Sequence, residues 1–137
     1  MIKIAVLIKQ VPDIERNVKV TINQNSYNIN RQGLPSIMNP HDRNALEEAL
    51  CWKDALNAQV NCFSMGPQQA SQILKEAVSM GADEGYLVTD RAFAGSDTLA
   101  TSMILSEALK TTGSYDYIFC GKQALDGDTA QVGPGIA

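Results

Sequence analysis

Residues 3–9 are mostly apolar and alternate only weakly, which is the pattern of a strand covered on both faces of a parallel sheet. Residues 60–65, 84–88 and 115–120 read as three more strands. Between them the apolar spacing turns helical. Ala45, Leu46, Ala49, Leu50 and Leu56 fall on one face of a segment whose other face carries Glu47, Glu48 and Asp54. Asn39 can cap that helix, Pro40 has the φ suited to its first position, and Asp42 puts a negative charge in its first turn. Ala70, Ile73, Leu74, Ala77 and Val78 predict a second helix stopped by Gly81. A third starts at Ser96 or Asp97 and runs through Leu99, Ala100, Met103, Ile104 and Leu105 to about Lys110. Residues 18–22 and 27–29, parted by Asn23, Gln24, Asn25 and Ser26, read as a hairpin outside the main sheet.

Strands alternating with long helices imply right-handed crossovers. The expected fold is therefore α/β, a Rossmann-like parallel sheet with helices on both faces and a small β-hairpin excursion, in one domain over residues 1–137. Ligands of such sheets bind beyond the carboxyl ends of the strands. Four segments leave strand ends: 10–13, 66–69, 89–96 and 121–131.

Composition narrows the function classes. Eleven basic against fifteen acidic side chains give a net charge of -4 with no Lys/Arg stripe, which argues against nucleic-acid binding. The apolar run of residues 4–8 is enclosed by Lys3 and Lys9, so it is a strand and not a signal peptide. No segment is long enough to insert in a membrane. Cys51, Cys62 and Cys120 match neither a CxxC motif nor a zinc set and read as buried small hydrophobes; their odd number favours a reducing cytoplasm. Met65, Met80 and Met103 read as core filler, and Trp52 as cover for a seam.

The richest candidate site is the loop after the fourth strand. Gly121, Gly127 and Gly133 allow close backbone approach, Thr129 offers a hydroxyl, and the amides of a helix starting near Ala130 suit a phosphate. The competing reading is a plain loop with Asp126 and Asp128 as turn and cap residues. No GxGxxG follows a strand and no GxxxxGK[ST] is present, so neither a dinucleotide fingerprint nor a P-loop exists. His41, the only histidine, has no companion for a metal site or a triad, and no catalytic side chains are expected. Rival functions are an ATP-binding module of the universal-stress type and an ATP-pyrophosphatase, which would need an SGGxDS loop where KQVPD stands.

Five motifs in order, KQVPD (residues 9–13), IMNPHDRNALEEAL (37–50), SMGP (64–67), MGADEGYLVTDRAFAGSDTLATS (80–102) and CGKQALDGDTAQVGP (120–134), resemble the beta subunit of electron transfer flavoprotein, FixA type. The resemblance implies an adenine-nucleotide alpha-hydrolase-like domain and a heterodimer with an alpha subunit that holds FAD. It implies a beta-site nucleotide, FAD by preference or AMP, contacted by Leu7, by Asn39, Pro40, His41 and Asp42, by Met65, and by Gly121, Lys122, Gln123, Ala124, Leu125, Asp126, Gly127, Asp128, Thr129, Ala130, Gln131 and Val132. Electrons would pass between an acyl-CoA dehydrogenase and a quinone reductase or, in the bifurcating branch, from NADH to the alpha-subunit FAD and to ferredoxin or flavodoxin. Ile14 stands where that branch often has threonine, so an NADH contact at that turn is not carried over. Family members are longer, and the chain is expected to be the N-terminal half, truncated at its C-terminus.

Overall fold

The computed structural model describes residues 1–13, 21–22, 24–27, 29–30 and 35–137. Its main sheet has four parallel strands in the order β7-β6-β1-β8, formed by Glu84–Val88, Gln59–Met65, Lys3–Leu7 and Tyr117–Cys120. β1 is central, its Ile4 opposite Val60 on one side and Tyr117 on the other. Because β1 is flanked on both sides and covered on both faces, Ile4, Ala5 and Val6 are completely buried, as its unbroken apolar run requires.

Helices α1 (Pro40–Leu56) and α2 (Ser71–Met80) cover one face. Ile4, Val6, Val60 and Cys62 point to that side and meet Leu46, Ala49, Ile73, Leu74 and Ala77. Full burial of each large aliphatic side chain here is worth about 1.5–3 kcal/mol. Trp52 closes the seam between α1 and β8, edge-on to Tyr117 at 5.0 Å and to Phe119 at 5.2 Å. Gly81 ends α2 at φ 130°, a conformation that side chains resist.

Helix α3 (Thr98–Thr112) lies on the other face, capped by the Asp97 carboxylate, which accepts from the Ala100 amide at 2.8 Å. The cluster there is smaller: Ala5, Leu7, Phe63 and Leu109. Leu99 and Met103 on α3 remain exposed, as do Tyr117 and Ile118 on β8. Met103 is thus not core filler, because the helical face it occupies has no described neighbour to pack on. Leu56 is exposed too, since it lies in the last turn of α1 beyond the sheet.

The chain departs from the sequence reading between β1 and α1. β2 (Gln10–Pro12) pairs antiparallel with β5 (Ser36–Met38), a ribbon whose short strands carry too few residues to show a period. Within it β3 (Thr21–Ile22) pairs with β4 (Ile29–Asn30), which places the expected hairpin, although residues 18–20 and Ile14 lie outside the described residues. Tyr27 takes φ 57° and belongs to the turn, not to a strand. Only Cys62 is a buried cysteine. Cys51, on the outer side of α1, and Cys120, at the tip of the edge strand, are exposed. Burial pushes the Cys62 thiol up to about 12.

Candidate functional site

A cleft of ≈1080 Å³ opens at the carboxyl ends of the four strands. Its floor is Leu7, Ile8, Phe63 and Met65 at the tips of β1 and β6. Its walls are four loops: Lys9 to Pro12, the 66–70 turn, the segment 89–98 leading into α3, and the loop after β8. A crossover sheet creates this opening because the loops on either side of β1 diverge to opposite faces.

The loop after β8 is fastened to α1 by two side chains. Asn39, completely buried, donates from Nδ2 to the Gln123 carbonyl at 2.7 Å and accepts at Oδ1 from the Leu125 amide at 3.2 Å. It therefore makes no side-chain cap on α1, contrary to the sequence reading; the amide that would cap is spent on the loop instead. Asp42 accepts from the Lys9 amide at 2.9 Å and from the Gly121 amide at 3.1 Å. Gly121 is required there, since a Cβ would stand 2.5 Å from Asp42 Oδ1 and 2.6 Å from the His41 carbonyl carbon. Desolvation raises the Asp42 pKa above 3.8, outweighing the bond to Asn39, the two amides and the charge of Lys9. Lys9 Nζ in turn pairs with Asp126 Oδ1 at 2.7 Å. Three strand-end segments are thus cross-linked by Asn39, Asp42 and Lys9.

The loop itself is bent by two residues in left-handed conformation, Asp128 at φ 54° and Ala130 at φ 56°. Strain of this kind is held only where surrounding contacts over-determine the backbone. The helix expected near Ala130 begins at Val132 for this reason and runs to Ile136 as α4.

Of the residues singled out from the sequence, Leu7, Asp42, Met65, Gly121, Lys122, Gln123, Ala124, Gly127, Thr129, Ala130, Gln131 and Val132 lie on the cleft wall. Asn39, Leu125, Asp126 and Asp128 sit behind it, Asn39 and Asp126 as its fasteners. Pro40 is exposed and His41 half-buried on the first turn of α1, both off the wall. The wall also includes Lys9, Gly66, Asp90, Arg91, Phe93, Ser96 and Thr98. Sequence reasoning marked segments 66–69 and 89–96 as strand ends without choosing residues, and it left Lys9 in the first strand and Thr98 in the third helix; the Asp97 cap, at the start of α3 beside the cleft, was the available signal. Among the described residues no group of His, Cys, Asp or Glu could hold a metal ion, and no helix is long and apolar enough to cross a membrane.

The cleft suits a nucleotide on its own geometry. Its floor is apolar, its rim offers Lys9, Lys122 and Arg91 as cations and Thr129 and Ser96 as hydroxyls, and its glycines let the main chain come close. A family model described as the electron transfer flavoprotein domain matches residues 27–137. The chain is 55% identical over 134 residues to the electron transfer flavoprotein subunit beta of Thermoanaerobacterium thermosaccharolyticum, covering 98% of this chain and 50% of that protein. It is 49% identical to protein FixA of Rhizobium meliloti, with 98% and 46% covered, and 49% identical to the caffeyl-CoA reductase-Etf complex subunit CarD of Acetobacterium woodii, with 98% and 51% covered. The chain thus spans about half the length of the curated relatives it matches. On sequence, fold and the position of the cleft together, the chain belongs to the electron transfer flavoprotein family, as a beta subunit of the FixA type.

Proposed function

We propose that this chain supplies the nucleotide-holding half of an electron transfer flavoprotein beta subunit, which pairs with an FAD-carrying alpha subunit and passes electrons between redox partners. The observation that supports this best is the cleft whose glycine-bearing loop, residues 121–131, is fastened by Asn39 and Asp42. Cleft residues would hold the nucleotide as follows: Leu7, Phe63 and Met65 against flat apolar surface, and the backbone of the 121–131 loop with Thr129 and Lys9 toward phosphate oxygens. Lys9 keeps Asp126 as its neighbour, so the cation is held at the rim before any anion arrives.

FAD is the preferred occupant. A cleft of ≈1080 Å³ lies just above the roughly 300–1,000 Å³ range of small-molecule sites and has more room than an adenylate alone needs. A flavin supplies the redox chemistry, and the protein sets its position, polarity and access to water. Acid–base side chains are not called on for electron transfer through a flavin. The partner classes are an acyl-CoA dehydrogenase or reductase, which the name of the Acetobacterium relative favours, and in the bifurcating branch NADH with ferredoxin or flavodoxin.

The test is to pair the complete subunit with its alpha partner, release the bound nucleotides and identify them. Two flavins per heterodimer are expected. One flavin with one AMP would replace FAD by a structural adenylate in this cleft. A heterodimer with a single flavin and no second nucleotide would overturn the reading. Thr129→Val should lower nucleotide retention, and unchanged occupancy would take that residue off the wall's contacts.

A further inference from the structure

The loop after β8 carries a dipeptide with covalent chemistry of its own. Gly127 follows Asp126, and nowhere else in the chain does glycine follow an aspartate or an asparagine. A side chain on the following residue crowds the approach of its main-chain nitrogen to the preceding carboxyl group; glycine has none. Here that approach is made: the Gly127 amide donates to Asp126 Oδ1 at 2.8 Å, so its nitrogen lies against the Asp126 carboxyl group. Among the described residues the same amide has no main-chain acceptor, so no helix or sheet ladder holds it away. The Asp128 amide bonds the Ala124 carbonyl at 2.9 Å and closes the turn around the pair, which keeps the two groups together. Gly127 is exposed, and nothing stands within 4 Å of where its Cβ would be, so water reaches this peptide.

We propose that Asp126–Gly127 is a site of spontaneous covalent modification, at which the peptide link migrates from the main-chain to the side-chain carboxyl of Asp126, and that Lys9 restrains the reaction. The Gly127 nitrogen adds to the neutral Asp126 carboxyl group. An N–C bond forms, the C–OH bond breaks, and the hydroxyl leaves as water with the amide proton. The five-membered imide then takes up one water. Opening at the side-chain carbonyl restores aspartate; opening at the main-chain carbonyl leaves the chain running through the side chain, as isoaspartate. Water is the only co-reactant.

The restraint comes from charge. Only the neutral carboxyl group can lose water, and Lys9 Nζ, 2.7 Å from Asp126 Oδ1, favours the ionised one. Lys9 is therefore a guard on the loop as well as a cation on the cleft rim. Conversion would lengthen the main chain by a methylene and draw the carboxylate off Lys9, undoing the cross-link between the end of β1 and the loop after β8. The modification is independent of the nucleotide reading, since it needs only the loop and water.

The test is prolonged warm incubation of the complete subunit, followed by peptide mapping and by methyl transfer from S-adenosylmethionine with an isoaspartate-specific methyltransferase. Isoaspartate is expected at Asp126 and at no other aspartate, preceded by a peptide lighter by one water. Gly127→Ala, which has room for the added methyl group, should all but stop the conversion. Lys9→Met should speed it several-fold, and Lys9→Arg, which keeps the charge, should return it to the slow rate. The absence of isoaspartate at Asp126 in both the unaltered chain and Lys9→Met would overturn the proposal. So would an equal yield in Gly127→Ala. Conversion in Lys9→Met no faster than in the unaltered chain, or equally fast in Lys9→Arg, would overturn the part given to Lys9.

Discussion

Two aspartates, one at each end of the sheet, use the same device with opposite electrostatic outcomes. At the carboxyl end Asp42 accepts the amides of Lys9 and Gly121, tying α1 to the tips of β1 and β8. At the amino end Asp83 accepts the Val60 amide at 2.8 Å, tying the turn before β7 to β6, and takes the Lys53 ammonium at 2.7 Å on its other oxygen. Burial alone would raise the Asp83 pKa, but its bonds to Lys53 and Val60 and the charge of Lys53 bring it below 3.8. Asp42 has no ammonium bonded to it, so desolvation wins and its pKa goes up. The amino-end carboxylate is placed for stability. The one at the carboxyl end stabilises a loop arrangement at the expense of a buried charge, which is the pattern expected where a site is being shaped.

The contrast can be broken most strongly at Asp42. Asp42→Ala leaves two amides without an acceptor and should lower stability by about 3 kcal/mol in urea titration. A loss below about 1 kcal/mol would mean that the loop after β8 does not depend on this tie. Gly121→Ala forces a Cβ against Asp42 and the His41 main chain and should cost about 2 kcal/mol, because backbone cannot step aside as a flexible side chain does.

Smaller effects sharpen it through pH. A carboxylate with a raised folded pKa contributes most below its unfolded value of 3.8, and that contribution is lost as pH rises through the folded value. Asp42→Asn should therefore remove a decline in stability with rising pH, while costing about 1 kcal/mol at neutrality for the amide that faces an NH₂ group. Asp83 behaves in the opposite sense: its contribution is present above 3.8 and lost as pH falls through its lowered value. Lys53→Met should cost only about 0.5 kcal/mol at neutral pH, given that both partners are partly solvated, and the deficit should vanish in acid. A deficit that persists below the Asp83 titration would assign Lys53's effect to its bond with the Gly81 carbonyl instead.

Much of the frame was legible in the chain. The continuous apolar run of β1 marks a strand covered on both faces, and the helical spacing around Leu46 and Leu74 marks the helices that cover it. The strand-end rule pointed to all four loops of the cleft. Asn39 shows where local reading stops. An Asn before Pro at a helix start has the signature of a cap, and a cap and a long-range tether need the same amide. Met103 and Cys120 fail for a related reason: residue type predicts burial only if something is there to bury against.

The sequence by itself determined the period of each segment, hence the alternation of strands and helices, the parallel sheet and the end at which a ligand can sit. These follow from side-chain spacing within a few turns of chain. Only the tertiary structure decided that Asn39 reaches Gln123 and Leu125 and that Asp42 holds Lys9 and Gly121. Those contacts join positions tens of residues apart, and no local pattern encodes which distant amide a buried polar atom will meet once water has been excluded.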